Sequence, residues 1–207
     1  MTNTFNKFGG LSAILVGILS ILYAVFFLVI ARQAEHIGTL GSWLILALSG
    51  IFSSAAYVAL YRRIAGNGQN DLALWAMLLG VMSSFATLQH GEYQALLINE
   101  LQGAPGPRRT AIEAVRSFPS QVDPAGFTAF FVVGLVAFIF GWLIVRTGTL
   151  PKNLGYLSMG NAVLLIVLFL ANVGDIQPLV LLAGGLTSVI VGPIWWIWLG
   201  VQLRKEM

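Results

Sequence analysis

Gly9-Gly-Leu-Ser-Ala-Ile-Leu-Val-Gly-Ile-Leu-Ser-Ile-Leu-Tyr-Ala-Val-Phe-Phe-Leu-Val-Ile30 contains no charged residue. As a helix rising 1.5 Å per residue it is about 33 Å long, enough to cross a hydrocarbon core of about 30 Å. Lys7 precedes it. The run is longer than the ~7–15 residues of a signal-peptide core, and no clear small-residue cleavage site follows, so it reads as a retained first span.

Five further runs of this kind follow: Leu40–Tyr61, Leu72–Gln89, Ala125–Val145, Leu154–Val173 and Leu179–Leu203. The composition agrees. The chain is 57% hydrophobic and 9% charged, with a mean hydropathy of +0.85. Soluble proteins carry about a quarter charged residues. The expected architecture is all-α: one membrane domain over residues 1–207, built as a six-helix transmembrane bundle. Lipid is then the first partner. The net charge of +3 is spread over helix ends. It forms no basic patch with interleaved aromatics, so nucleic acid is not a partner. The chain has no cysteine, which excludes disulfides, thiolate metal sites and cysteine nucleophiles.

Basic residues set the expected orientation. With six spans, Lys7, Arg62, Arg63, Arg146, Lys152, Arg204 and Lys205 share one side, and Arg32, Arg108, Arg109 and Arg116 the other. Positive charge in short loops marks the cytoplasmic side, so both termini are expected inside. Trp75, Trp142, Trp195, Trp196 and Trp198 fall toward the inner ends of their spans and Trp43 toward an outer end, depths that amphipathic rings prefer.

Short turns such as Ala65-Gly-Asn-Gly-Gln-Asn70, Gly148-Thr-Leu-Pro-Lys-Asn153 and Gly174-Asp-Ile-Gln-Pro178 join the spans, and short connections imply antiparallel neighbours. The exception is a long outer loop, residues 90–124. Its first part, His90–Gln102, can prolong the third helix. Gly103-Ala-Pro-Gly-Pro107 breaks it, and Thr110–Phe118 reads as a short helix capped by Thr110 with Glu113 three residues on. That helix covers the bundle mouth, or acts as a lid or partner-docking element. Small residues mark packing faces: Ala13 and Gly17 in span one, Gly50 in span two, Gly141 in span four, and Gly185, Ser188 and Gly192 in span six.

Polar residues inside spans are the candidates for chemistry. Ser83, Thr87, His90 and Gln94 recur at helical spacing on one face of span three. Asn161 and Asn172 lie eleven apart, about three turns, on one face of span five, and Asp175 follows. These seven either line a ligand cavity open to the outside or bind helices together, Ser and Thr through their own backbone. His36, His90 and Glu92 are weak metal candidates, because no spacing preorganises two imidazoles. No phosphate-binding loop, no G-x-S-x-G and no paired intramembrane acids occur. The chain therefore reads as non-enzymatic and free of cofactors.

Gly141-Trp-Leu-Ile-Val-Arg-Thr-Gly-Thr-Leu-Pro-Lys-Asn-Leu-Gly155 and Gly192-Pro-Ile-Trp-Trp-Ile-Trp-Leu-Gly200 resemble the prokaryotic membrane family catalogued as domain of unknown function 4386. The resemblance covers residues 125–205. It implies a prokaryotic inner-membrane location and brings no activity and no catalytic residue to carry over. The leading functional expectation is binding or passage of a small apolar or neutral ligand. The alternatives are an accessory subunit packing on another membrane protein or on its own copies, and an enzyme or metal-binding protein using His36, His90 and the outer carboxylates.

Overall fold

A computed structural model describes residues 3–65, 70–117 and 123–205. The described residues are almost wholly helical. Six helices are long and apolar enough to cross a membrane: Thr4–Gln33, Glu35–Ile64, Asn70–Gly103, Phe127–Thr147, Lys152–Val173 and Gln177–Arg204. These are spans one to six of a multi-pass membrane protein. Each span packs on its chain neighbours, and span six returns to span one, so the six form a ring. The end of the ring holding both termini is called the terminal end, and the opposite end the loop end.

Large apolar side chains face outward along every span. On span one Leu11, Ile18, Leu22 and Val25 are exposed at helical spacing, a stripe suited to lipid tails and not to water. Between helices, glycines permit close approach. A Cβ on Gly200 of span six would lie 2.4 Å from the Gly10 carbonyl oxygen of span one, and one on Gly155 of span five 2.6 Å from the Gly141 carbonyl oxygen of span four. Both pairs sit in the terminal half, where backbones touch with no side chain between them.

The same half holds the filled core. Leu60 and Ile64 of span two, Phe140, Leu143 and Ile144 of span four, Leu154 of span five, and Leu199 of span six are fully buried together. Arg62 lies over the Phe5 ring and Arg146 over the Trp142 ring at this end, so basic side chains cover aromatic faces at its border.

The loop half is built differently. Three of its helices carry a wide π turn: Phe26–Ile30 in span one, Phe127–Val132 in span four and Leu186–Val191 in span six. Such turns are rare and collect at functional sites. The last of them precedes Pro193, which has no N–H to give; Gly192 donates back to the Thr187 carbonyl instead.

Span three stays helical to Gly103, as expected of His90–Gln102, which holds no proline, and Ala95 and Ile98 are buried. The loop proper is therefore shorter than 90–124, and other expectations for it change. The short helix begins at Gly106 and runs to Ser117, starting where Pro107 fits a first helical turn. Thr110 is therefore inside it, its hydroxyl bonded to the Gly106 carbonyl, and Glu113 pairs with Arg109 at 2.9 Å instead of closing a capping box. Phe118 lies outside the described residues. This helix approaches only span three and remains exposed, so among the described residues it does not cover the bundle mouth. Gly185 was expected to pack between helices; a Cβ there meets nothing within 4 Å, because it opens onto the cavity described next.

Candidate functional site

The hollow loop half encloses a cavity of about 940 Å³ with walls from all six spans. The volume is at the upper end of the ~300–1,000 Å³ typical of small-molecule pockets. All three π turns contribute to it, through Phe27 and Leu28, Ala129 and Phe130, and Thr187 to Val189. The walls are mainly apolar and aromatic, with polar groups at two depths.

The floor lies near mid-membrane. Ser83 stands eleven residues beyond Leu72 and Asn161 nine beyond Lys152, about 14–17 Å along their helices. Tyr57 and Trp196 close the floor toward the filled core, their rings 5.4 Å apart at an edge. Tyr57 also stacks on Phe140 at 6.1 Å, which ties the floor to that core.

Hydroxyls on the wall are mostly consumed locally. Ser20 donates to the Val16 carbonyl, Ser49 to Leu46, Thr87 to Ser83 and Thr187 to Ala183. Ser53 and Ser84 join across spans two and three at 2.8 Å, one hydroxyl donating to the other. The accepting hydroxyl donates to its own helix carbonyl, Gly50 for Ser53 or Gly80 for Ser84. Two groups break this pattern. The Ser83 hydroxyl oxygen and the Asn161 amide oxygen have no hydrogen-bond partner, although the residues are only 1% and 7% exposed. Both residues line the cavity. A buried polar atom without a partner costs about 1–3 kcal/mol. Asn6, Ser12, Arg63 and Trp195 carry such atoms away from the cavity, and Ser83 and Asn161 differ from them in lining it.

The mouth at the loop end is polar. His90 of span three lies edge-on to Trp43 of span two, ring centroids 5.3 Å apart, and the Asp123 carboxylate is within electrostatic range of its imidazole. Asp123 is buried at 4% exposure. Its two oxygens accept the backbone N–H groups of Thr128 at 2.7 Å and Ala129 at 2.8 Å, the donors that the first turn of span four leaves without partners. Asn172 donates to the Ala125 carbonyl at 2.8 Å.

Of the seven cavity candidates read from sequence, Ser83, Thr87, His90, Asn161 and Asn172 line this cavity. Gln94 and Asp175 do not. Gln94 lies one turn past His90, about 6 Å further along the helix and beyond the mouth. Asp175 sits in the turn between spans five and six, exposed and bonded to the Gln177 amide at 2.8 Å. Among the described residues no three His, Asp or Glu side chains converge to hold a metal ion; Glu92 is exposed, and His36 and Glu92 are not on the cavity wall. The sequence reading passed over Asp123, Tyr57 and the Ser53–Ser84 pair. An acid two residues before the apolar run at Ala125 was the available signal for Asp123, because a carboxylate there caps the helix that follows. No protein-family model, no curated protein and no solved structure matches this chain.

Proposed function

We propose that this protein binds or passes a small, neutral, largely apolar molecule in the loop-half cavity, with Ser83 and Asn161 gripping its polar group. The observation that carries this reading is the pair of unpartnered buried atoms at the floor of a mainly apolar cavity. A charged ligand does not suit that floor, which has no ionisable side chain of opposite sign. The aromatic walls of Trp43, Tyr57 and Trp196 supply the apolar contact. His90, Asp123 and Asn172 form a polar rim.

The orientation belongs to the same proposal: termini in the cytoplasm, cavity mouth outside, in a prokaryotic inner membrane. It is supported by the seven basic residues at the terminal end against four at the loop end.

Native mass spectrometry of gently extracted protein tests the reading. The wild type should carry a small-molecule adduct, and Gly185→Phe, which projects a ring into open cavity, should lose it while remaining folded. A wild type without any adduct, or an adduct retained undiminished by Gly185→Phe, overturns the assignment.

A further inference from the structure

Spans one and six meet unevenly. In the terminal half they touch backbone to backbone at Gly10 and Gly200, and at Gly17 beside the Pro193 carbonyl. In the loop half, the first nine residues of span six, Gln177–Gly185, approach span five and their own π turn but no part of span one. The ring is therefore shut at one end of this seam and parted at the other.

The parted seam coincides with the cavity. Phe27 and Leu28 of span one and Leu181 of span six line the cavity, yet they are 45%, 46% and 75% exposed. A side chain that is both cavity wall and outer surface marks where the two meet. The surrounding residues, Phe26–Ile30 and Leu179–Ala183, are uncharged and apolar. This opening faces hydrocarbon along its edges. Gly185 widens it, for a Cβ there would meet nothing within 4 Å.

From this seam and the floor together, and resting on the cavity reading proposed above, we infer that the ligand is a membrane-dissolved neutral amphipath that enters sideways from the bilayer between spans one and six. Its head both donates and accepts one hydrogen bond, as an alcohol or primary amide does. The Ser83 hydroxyl can do either, and the Asn161 oxygen accepts. Its single apolar chain lies along the aromatic wall and leaves through the seam, where its end stays in lipid. No part of such a molecule has to cross water. A ligand entering from the aqueous side would instead pass His90 and Asp123 at the rim.

The absence of native cysteines allows a clean test. Leu28→Cys and Leu181→Cys are combined, and the protein is reconstituted into phosphatidylcholine vesicles with radiolabelled 1-hexadecanol. Hexadecane, which has the chain but no head, is the comparison probe. A flexible bis-maleimide then bridges the two cysteines, with each single-cysteine variant treated alike as a control. Transfer of hexadecanol to empty acceptor vesicles is followed. The expected result is retention of hexadecanol over hexadecane before bridging, and release slowed at least tenfold after it. Selective retention with an unchanged release rate overturns sideways entry and leaves the cavity reading intact. Retention of hexadecanol no greater than that of hexadecane overturns the assigned head chemistry. An adduct in native mass spectrometry would then still support a cavity ligand of another class, and its absence would sink both.

Discussion

Asn172 of span five donates its side-chain N–H to the carbonyl oxygen of Ala125 at 2.8 Å, 47 positions earlier in the chain. Ala125 stands at φ +54°, in the left-handed region that suits glycine, and Gly126 follows at φ +74°. The bond therefore holds a strained turn in place at the entrance to span four, two residues from Asp123 of the rim. Replacing Asn172 by Leu should lower stability by about 0.5–1.5 kcal/mol, the net worth of one hydrogen bond, read as a fall in thermal midpoint in detergent. Ala125→Gly should act the other way, raising stability by under about 1 kcal/mol as the left-handed strain is relieved. A destabilised Ala125→Gly protein would show that the turn is not under strain.

Asp123→Asn should weaken the start of span four. A carboxylate meets two backbone donors with two acceptor oxygens, whereas an amide offers one. The expected cost is about 1–3 kcal/mol, as for a charge-assisted bond to buried donors. Urea unfolding in mild detergent would measure it, and an unchanged midpoint would mean that the cap contributes nothing.

Asn161→Leu should separate stability from binding. The substitution removes an unpartnered buried oxygen at similar volume, so the ligand-free protein should become more stable, by up to about 1–3 kcal/mol. Retention of any cavity ligand should fall. A protein that loses both stability and ligand would place Asn161 in the packing of the bundle and not in recognition.

Gly200→Ala and Gly185→Ala should differ sharply. The first drives a methyl against the Gly10 carbonyl oxygen at 2.4 Å and should cost about 1–3 kcal/mol, the range for overpacking. The second adds a methyl to open space in a helix interior that favours alanine, and should stabilise by up to about 1 kcal/mol. Equal effects in a thermal scan would contradict the filled-and-hollow division of the bundle.

Reporter fusions check the orientation. A fusion after Lys152 should read cytoplasmic, and one between Gly103 and Gly106 external. The reverse pattern would turn the cavity mouth to the cytoplasm without changing its walls.

Much of this was legible in the sequence because lipid imposes simple rules. Six uncharged runs gave six spans, and helical spacing put Ser83, Thr87 and His90, and likewise Asn161 and Asn172, on shared faces; these five line the cavity. The close contacts of Gly17, Gly50 and Gly141 follow from small-residue patterning. What sequence could not separate was two uses of the same residue type. Gly185 reads like Gly200, yet one faces space and the other a backbone. Thr87 reads like Ser83, yet Thr87 spends its hydroxyl on its own helix and Ser83 does not. Those differences depend on how far apart neighbouring helices stand, and the three π turns on the cavity wall have no composition of their own.

Each π turn amounts to one surplus residue wound into an otherwise regular helix. Deleting a single position within Leu186–Val191 therefore need not scramble span six. It would let the helix close to the ordinary period, keep both Gly192–Arg204 and Gln177–Gly185 near their present phases, and remove only the local widening at the cavity wall. Cavity shape in this protein is thus adjustable by loss or gain of one amino acid in the middle of a membrane span, a change that would break most transmembrane helices' register.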